Sequence, residues 1–490
     1  MRPDMKTRAL IISIMIFSTA GCTVGPDYVK PEVDTPDQWR YEYQETADIV
    51  NTTWWKQFND PVLDELIQTA LENNKDVRIA AARVEEFAAR VDIARSGFYP
   101  QIGYDAAANR NQSSQETVAG SVPDNVRISN NFQASLNVGW ELDIWGKIRR
   151  LTEAARADLL AAEEGRRTVI LTLVTSVATS YVELRNLDKQ LEIANRTLES
   201  RGKTLDLFEL KFQGGVISQL EVAQIQSEYE QAAVRVPATE RQIALLENSL
   251  SVLLGQNPGP IPRGKTIDEL IQPQIPQGIP SDVLERRPDI RRAEQNLIAA
   301  NAAIGVARSQ YYPSISLTGL FGYASSELSN LAQQSANFWG LGADALGPIF
   351  TGGRISGDVR VSEAIQRQTL IAYLQTIQTV FREVDDSLVS VQKTRQELEA
   401  QGRRVEALQE YARFANIRFD EGQVSYIEVL DSERRLFEAE LLYTQNQSNV
   451  YTALVSTYKA MGGGWITEVE QVANTIDFPV DEKERTQETP

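Results

Sequence analysis

The sequence predicts an α+β membrane protein in which a transmembrane sheet is joined to very long helices inside a tandem internal duplication. Three observations support this fold class. Two stretches of about 200 residues repeat one another, each copy has segments in which apolar and polar residues alternate, and each copy has a long proline-free segment. The alternation is typical of strands, and heptad-like apolar spacing in the proline-free segments is typical of coiled-coil helices.

The duplication is visible as matched segments at two offsets. Residues 93–100, IARSGFYP, match 306–313, VARSQYYP, at an offset of 213, and residues 218–222, SQLEV, match 425–429, SYIEV, at an offset of 207. A proline-rich stretch at 256–282 separates the copies and predicts a linker. We therefore expect a signal peptide at 1–21, an N-terminal lipid-anchored extended segment at 22–60, repeat 1 at 61–255, the linker at 256–282, repeat 2 at 283–462 and an acidic tail at 463–490.

The clearest strand is predicted at about 131–144, where apolar and polar residues alternate from Phe132 to Ile144. This segment is longer than the roughly 9–11 residues that a tilted transmembrane strand needs. Its predicted partners lie at about 99–110, 312–324 and 337–350. A half-buried sheet of a soluble protein would show the same alternation, so the pattern alone leaves both interpretations open.

The helical segments are unusually long. No proline occurs from Gly146 to Val236 or from Ile349 to Phe478. Helices over 147–211 and 354–418 would each be ~98 Å long at a rise of ~1.5 Å per residue. Each long helix is expected to end at a glycine-containing turn, at about 212–216 and 419–424, and to be followed by a shorter returning helix.

The N-terminus has the layout of a secretory signal. A basic start is followed by nine apolar residues, Ala9 to Phe17, then by small residues and the single cysteine, Cys22. A small residue before a cysteine resembles a bacterial lipobox, which predicts lipid attachment at Cys22; an ordinary signal peptide with an uninvolved cysteine is the alternative. Thr23 favours the outer membrane by the same resemblance. No other segment approaches ~20 continuous apolar residues, so a spanning part would have to be a β-barrel.

Composition excludes several functions. The 67 acidic residues outnumber the 49 basic ones, for a net charge of −18, which argues against nucleic-acid binding. The chain has no histidine, so histidine-dependent catalysis and histidine-ligated zinc are excluded. No phosphate-binding loop occurs either. We therefore expect no enzyme activity, no catalytic residues, no metal site and no cofactor.

Four strands in one chain cannot close a barrel, and an open sheet edge in lipid is very costly. Several chains must therefore share one barrel. Two chains would give eight strands, which side chains nearly fill, whereas three would give twelve, wide enough for a lumen. Such a barrel continued by ~100 Å helices would form a conduit across the periplasm.

Four motifs carry a family resemblance: GCTVGPDY at 21–28, WELDIWG at 140–146, IPSDVLERRPDI at 279–290 and PIFTGGR at 348–354. With them the chain resembles the outer-membrane factor (TolC) family, in its OprM-like, NodT-type lipoprotein branch, over essentially the whole mature chain. The resemblance implies a homotrimer with a twelve-stranded transmembrane β-barrel, four strands per chain, continued by a periplasmic α-helical coiled-coil barrel. It also implies lipid anchoring in the outer membrane and an equatorial region, to which residues 22–60 belong, formed by the linker and both termini.

The implied function is that of the passive outer-membrane channel of a tripartite efflux pump for drugs or other small toxic compounds. Its implied partners are a periplasmic adaptor and an inner-membrane resistance-nodulation-division transporter. A type I secretion duct is the nearest alternative, and the lipobox and the Arg-Arg-Pro-Asp segment favour efflux over it. A periplasmic coiled-coil scaffold lipoprotein without a pore is a third interpretation, against which the long amphipathic strand argues.

Candidate site residues lie at the turns between the long and the returning helices. Glu428 and Asp431 share a helix face at a spacing of three. Family members close this end with apolar and acidic constrictions and with ion pairs, which the resemblance assigns here to Ile427, Glu428, Asp431 and Arg434. The plainer interpretation is a solvated helix face. Repeat 1 has Gln224 where repeat 2 has Asp431, so we expect one helix pair to move and the other to stay still.

The turns themselves match the family's adaptor-contact tips. The residues concerned are Gly214, Gly215, Val216, Glu421, Gly422 and Val424. Glycine permits positive φ and close approach by a partner helix. Termination of a helix by glycine would explain the same residues without any partner.

Overall fold

The computed structural model describes residues 23–40, 46–47, 53–112, 128–276 and 280–463. The predicted signal peptide 1–21, the lipid-attachment residue Cys22 and the acidic tail after residue 463 lie outside the described residues. The elements of repeat 1 are α1 (Pro61–Asn73), α2 (Lys75–Ser96), β1 (Gln101–Gln112), β2 (Ile128–Leu142), α3 (Lys147–Gln213) and α4 (Gln219–Leu253). Those of repeat 2 are α5 (Pro280–Arg286), α6 (Pro288–Ser309), β3 (Ser314–Ser325), β4 (Asn337–Leu346), α7 (Arg354–Asp420) and α8 (Tyr426–Ala460).

The two copies have the same order of elements and nearly the same lengths. The long helices α3 and α7 each have 67 residues, and the returning helices α4 and α8 each have 35. The helices that precede the strands, α2 and α6, each have 22. This correspondence confirms the duplication and the α+β class.

The four strands form one antiparallel sheet in the order β1-β2-β3-β4. The register places Trp140 opposite Leu317 and Phe321 opposite Trp339, so the alternating apolar residues share one face. Within the described residues, β1 and β4 each pair on one side only.

Strand boundaries differ from the predicted ones near prolines. We expected strands to begin at 99 and 312, but β1 begins at Gln101 and β3 at Ser314. Each begins directly after a proline, Pro100 or Pro313, which has no N–H to donate to a ladder. The last strand was expected to reach 350 and ends at Leu346, because Gly347 and Pro348 follow it.

The chain forms two compact units. Of the described residues, the first contains 23–32, 83–112, 128–162 and 292–373, and thus the sheet. In this unit the N-terminal segment packs against the residues that follow β2 and against α6. The Val24 N–H donates to the Trp145 carbonyl at 3.0 Å, and Tyr28 donates to Glu294 at 3.1 Å. Gly25 has a φ of +109°, and a Cβ there would come within 2.4 Å of the Gly305 Cα, so only glycine allows this crossing.

Of the described residues, the second unit contains 33–40, 46–47, 53–82, 163–276, 280–291 and 374–463, and it holds a large apolar core. The proline-rich stretch 256–282, expected to be a linker without a role in the core, contributes to it through Ile261, Ile267 and Leu270. The carboxylate of the fully buried Asp60 organises this region. It accepts hydrogen bonds from the Tyr181 hydroxyl at 2.7 Å and from the Lys265 N–H at 3.0 Å, which satisfies a charge that burial would otherwise make costly.

Among the described residues, no helix combines the length and the apolarity that a membrane crossing requires.

Candidate functional site

Two helical hairpins end close to the residues singled out in the sequence. The first hairpin end, residues 214–218, joins α3 to α4, and the second hairpin end, residues 421–425, joins α7 to α8. Gly215 and Gly422 have φ angles of +73° and +71°, the left-handed conformation that closes a helix. In both, an N–H beyond the glycine returns to the last helical turn: Val216 to the Lys211 carbonyl at 2.9 Å and Gln423 to the Arg418 carbonyl at 2.8 Å. Helix termination therefore accounts for the glycines in both copies.

Aromatic rings bring the two hairpins together just above these ends. The ring of Tyr426, at the start of α8, lies 4.5 Å from that of Phe208 on α3 and 5.0 Å from that of Phe419 on α7. The ammonium of Lys211 lies over the Phe208 ring at 5.2 Å. Burial raises the pKa of the Tyr426 hydroxyl to about 12, so it stays protonated near neutral pH.

Asp431 pairs with two arginines of its own helix. One carboxylate oxygen lies 3.0 Å from Arg434 Nη2 and the other 2.8 Å from Arg435 Nε. Partial desolvation would raise the Asp431 pKa, but hydrogen bonds from Arg435 and Arg434 outweigh it, and the pKa is lowered. Arg434 was expected from the sequence and Arg435 was not, although its spacing of four from Asp431 could have indicated it.

Equivalent glutamates of the two copies make different contacts. Glu221 in repeat 1 accepts hydrogen bonds from the Ser218 N–H at 2.8 Å and from the Ser218 hydroxyl at 3.0 Å, completing a capping box at the start of α4. Glu428 in repeat 2 instead reaches across the hairpin to Arg418, at 3.4 Å. Arg418 was not expected from the sequence, since a pair ten residues apart has no local signature.

Residues in and next to the two hairpin ends differ in how exposed they are. Ile427 is 58% exposed, and Glu421 and Gly422 are also exposed, whereas Val424 is only partly so. In the first hairpin end Gly214, Gly215 and Val216 are all exposed. Leu220, the repeat-1 counterpart of Ile427, is 68% exposed and was not among the residues expected from the sequence. Each returning helix thus exposes an apolar side chain in its first turn, Leu220 in α4 and Ile427 in α8.

No cluster of three or more His, Cys, Asp or Glu side chains in the parts of the chain that the structure covers is arranged to hold a metal ion. Glu428 and Asp431, in α8 directly after the second hairpin end, are instead paired with arginines.

Comparison with known proteins gives a consistent match. The model of the outer membrane efflux protein family matches twice, at residues 66–256 and 279–463, once for each repeat. The toluene efflux pump outer membrane protein TtgF of Pseudomonas putida is 35% identical over 474 residues, with 94% of this chain and 98% of TtgF covered. The cation efflux system protein CusC of Escherichia coli is 34% identical over 468 residues, with 94% and 100% covered.

Solved structures agree with these relatives. The open state of the MtrE outer membrane channel of Neisseria gonorrhoeae superimposes with a TM-score of 0.82 at 28% identity, covering 91% of this chain and 99% of that one. The similarity therefore extends over both repeats.

Proposed function

The chain belongs to the outer membrane efflux protein family, and on that premise we propose that it is the exit duct of a tripartite pump for drugs or other small toxic compounds. Family membership establishes the general function: the protein is a channel component of an efflux pump, lies in the outer membrane and extends into the periplasm, and is not an enzyme. The chain has the fold of the trimeric channels of this family.

The observation that supports the duct most directly is the four-stranded sheet, in which β1 and β4 each lack a partner on one side among the described residues. Each edge has backbone N–H and C=O groups that must find partners in lipid. A second copy supplies them when its β4 pairs with β1 of the first. Three copies give twelve strands, enough for an open lumen, and this supports a homotrimer.

We propose the start of α8, directly after the second hairpin end, as the periplasmic gate of this duct. Ile427, Glu428, Asp431 and Arg434 lie together at the start of α8, and three copies would repeat each of them around the axis. Ile427 would narrow the lumen with an apolar side chain. The carboxylates would favour cations, as acidic rings do in cation channels. The ion pairs of Asp431 and Glu428 would hold the closed arrangement.

The exposed hairpin ends are proposed to dock a periplasmic adaptor that bridges to the resistance-nodulation-division transporter. Gly214, Gly215 and Val216 on one end and Glu421, Gly422 and Val424 on the other form this surface. A Cβ at Gly215 or at Gly422 would meet nothing within 4 Å, so a partner helix can approach the backbone closely there. Lipid attachment at Cys22, outside the described residues, would anchor the channel from the periplasmic side of the outer membrane.

Single-channel recording in a planar bilayer tests the duct. Purified trimer should give discrete conductance steps that are cation-selective. A pure trimer that gives no conductance, also after substitution of the gate residues, would instead favour the scaffold interpretation.

A further inference from the structure

A band of side chains, here called the inter-repeat seam, joins α3 of repeat 1 to α8 of repeat 2 just above the hairpin ends. Its members on α3 are three and four residues apart, and its members on α8 are seven and four residues apart, so the members on each helix share one face. The seam consists of Arg201, Thr204 and Phe208 on α3 and of Tyr426, Glu433 and Phe437 on α8. Its lower end is the ring contact of Phe208 with Tyr426, reinforced by a hydrogen bond between Thr204 and Tyr426.

Arg201 is the centre of the seam and is only 4% exposed. Its guanidinium donates to the Glu228 carbonyl oxygen and to Gln231 Oε1, the latter at 3.3 Å, and lies 3.2 Å from the Glu228 carboxylate. The guanidinium carbon also lies 5.3 Å from the centre of the Phe437 ring. A buried cation is tolerated only when it is paired, so separating Arg201 from these groups is costly.

Glu433 places a second negative charge near this cation without pairing with it directly. It is packed among groups of all the neighbouring helices: Arg201 of α3 attracts it, Asn416 of α7 donates a hydrogen bond to it, and Glu228 of α4 repels it. Burial raises the pKa of Glu433, and Asn416 and Arg201 oppose that increase.

The seam occurs only once in the chain. At the equivalent positions of the other helix pair, Leu408 replaces Arg201, Gln226 replaces Glu433 and Glu230 replaces Phe437. The duplication therefore does not require these residues, and helix stability alone does not explain them. They connect α3 with the particular helix that carries Ile427 and Asp431.

The side chains of α8 that contact α3 and those proposed for the gate lie on different faces of the helix. Phe437 is buried and Glu433 partly so, whereas Ile427 and Arg434 are exposed. Any shift of α8 along or away from α3 would move the exposed face together with the buried one. The position of the exposed side chains is thus fixed by what holds the buried side chains.

We infer that Arg201 is a positioning residue of the channel: by holding Glu433 and Phe437 against α3, it fixes where α8 places Ile427 and Asp431 and restrains opening of the second hairpin end. The inference rests on the proposed gate and adds a residue outside it. Opening would move Arg201 away from the Phe437 ring and from the charge of Glu433, in surroundings that water reaches poorly and where a cation is costly to leave without these contacts.

Conductance of reconstituted trimers tests the inference with a matched control. Arg196 lies on the same helix and pairs with Glu440 of α8 at 2.6 Å, but its side chain is 57% exposed, so its ion pair contributes little. Arg201→Met should raise the mean conductance several-fold, whereas Arg196→Met should leave it within twofold of wild type. Arg201→Lys, which keeps the charge, should restore part of the wild-type behaviour.

A second variant covers the case in which Arg201→Met does not assemble. Glu433→Gln keeps the shape and removes the charge, and it should also raise conductance; in the double variant the two effects should not add. Conducting wild-type trimers whose conductance neither Glu433→Gln nor an assembled Arg201→Met changes would overturn the role of Arg201 and leave the duct intact. Arg201→Lys conducting like Arg201→Met would likewise overturn it. Trimers that conduct neither as wild type nor after substitution of the gate residues would refute the proposed function itself.

Discussion

At the scale of single residues, Asp431 has more partners than its spacing in the sequence suggested. Arg434 at a spacing of three was expected, and Arg435 at a spacing of four completes a bidentate arrangement on the same helix. Because both arginines lie on α8 itself, the carboxylate remains ionised at the second hairpin end whether or not a neighbouring subunit contributes a cation.

Removing this pair is expected to loosen the gate. In the variant Asp431→Ala with Arg434→Ala, the proposed ring of ion pairs is lost, so the conductance of reconstituted trimers should rise several-fold over wild type. The matched control in repeat 1 is Gln224→Ala with Ser227→Ala, at the equivalent positions of α4. Equal conductance of wild type and the Asp431/Arg434 variant would contradict the assignment of these residues to the gate.

The ion pair of Arg287 with Asp289 should make the stability of the protein depend on pH. Arg287 is nearly buried and pairs with Asp289 and with Glu383, the latter at 2.8 Å. Desolvation would raise the Asp289 pKa, but the hydrogen bond and charge of Arg287 outweigh it, and the folded-state pKa is lowered. The stabilisation is therefore present above the unfolded value of about 3.9 and is lost as the pH falls through the folded value.

Asp289→Asn should accordingly lower the free energy of unfolding at pH 7 by about 2 kcal/mol, because Arg287 loses a buried partner. The loss should shrink as the wild type is titrated through the folded-state pKa of Asp289. Thermal unfolding in detergent at several pH values measures this. Asp282→Asn, in the half-exposed pair with Arg286 at 3.4 Å, is the control and should have almost no effect. A constant difference at all pH values would rule out titration of Asp289 as the cause.

At the scale of elements, the chain illustrates what a sequence can predict and what it cannot. The long helices and the strand β2 follow from periodicity, which depends only on neighbouring residues. The role of 256–282 in the core was missed because it depends on Asp60 and Tyr181, far away in the chain. Arg201 was missed for the same reason: it is one arginine among many on a long amphipathic helix until α8 is packed against it.

The hairpin turns give an element-scale prediction. Gly422 adopts a φ of +71°, and a Cβ added there would meet nothing within 4 Å, so only backbone strain opposes a side chain. Gly422→Ala should destabilise the hairpin by about 1 kcal/mol, and Gly422→Asn by less, since asparagine tolerates the left-handed region. Hydrogen exchange of the last turn of α7 measures this. If alanine and asparagine had the same effect, a steric contact rather than the φ angle would be responsible.

At the scale of the whole molecule, the lipid anchor and the sheet offer two separate attachments to the membrane. Cys22→Ser should abolish incorporation of labelled palmitate, because the acceptor thiol is gone. Trimers should still fractionate with the outer membrane, since the sheet itself is proposed to hold them there. Loss of the protein from the membrane fraction would show that the anchor is required for insertion or retention.

Proline substitutions can test whether the sheet edges of neighbouring subunits pair. Along an antiparallel strand, successive N–H groups point to opposite sides, so of Gly340 and Leu341 in β4 one N–H faces β3 and the other faces the free edge. Proline removes the N–H, so proline at the edge-facing position should disrupt only the contact with the next subunit. That variant should have the mass of one chain rather than of three, with its helical circular dichroism retained. Leu320→Pro, in β3 with partners on both sides, should disrupt the sheet in every state. If the proline variants at 340 and at 341 both remain trimers, pairing of β4 with β1 of the next subunit does not hold the trimer together, and the subunits do not form a common barrel through these edges.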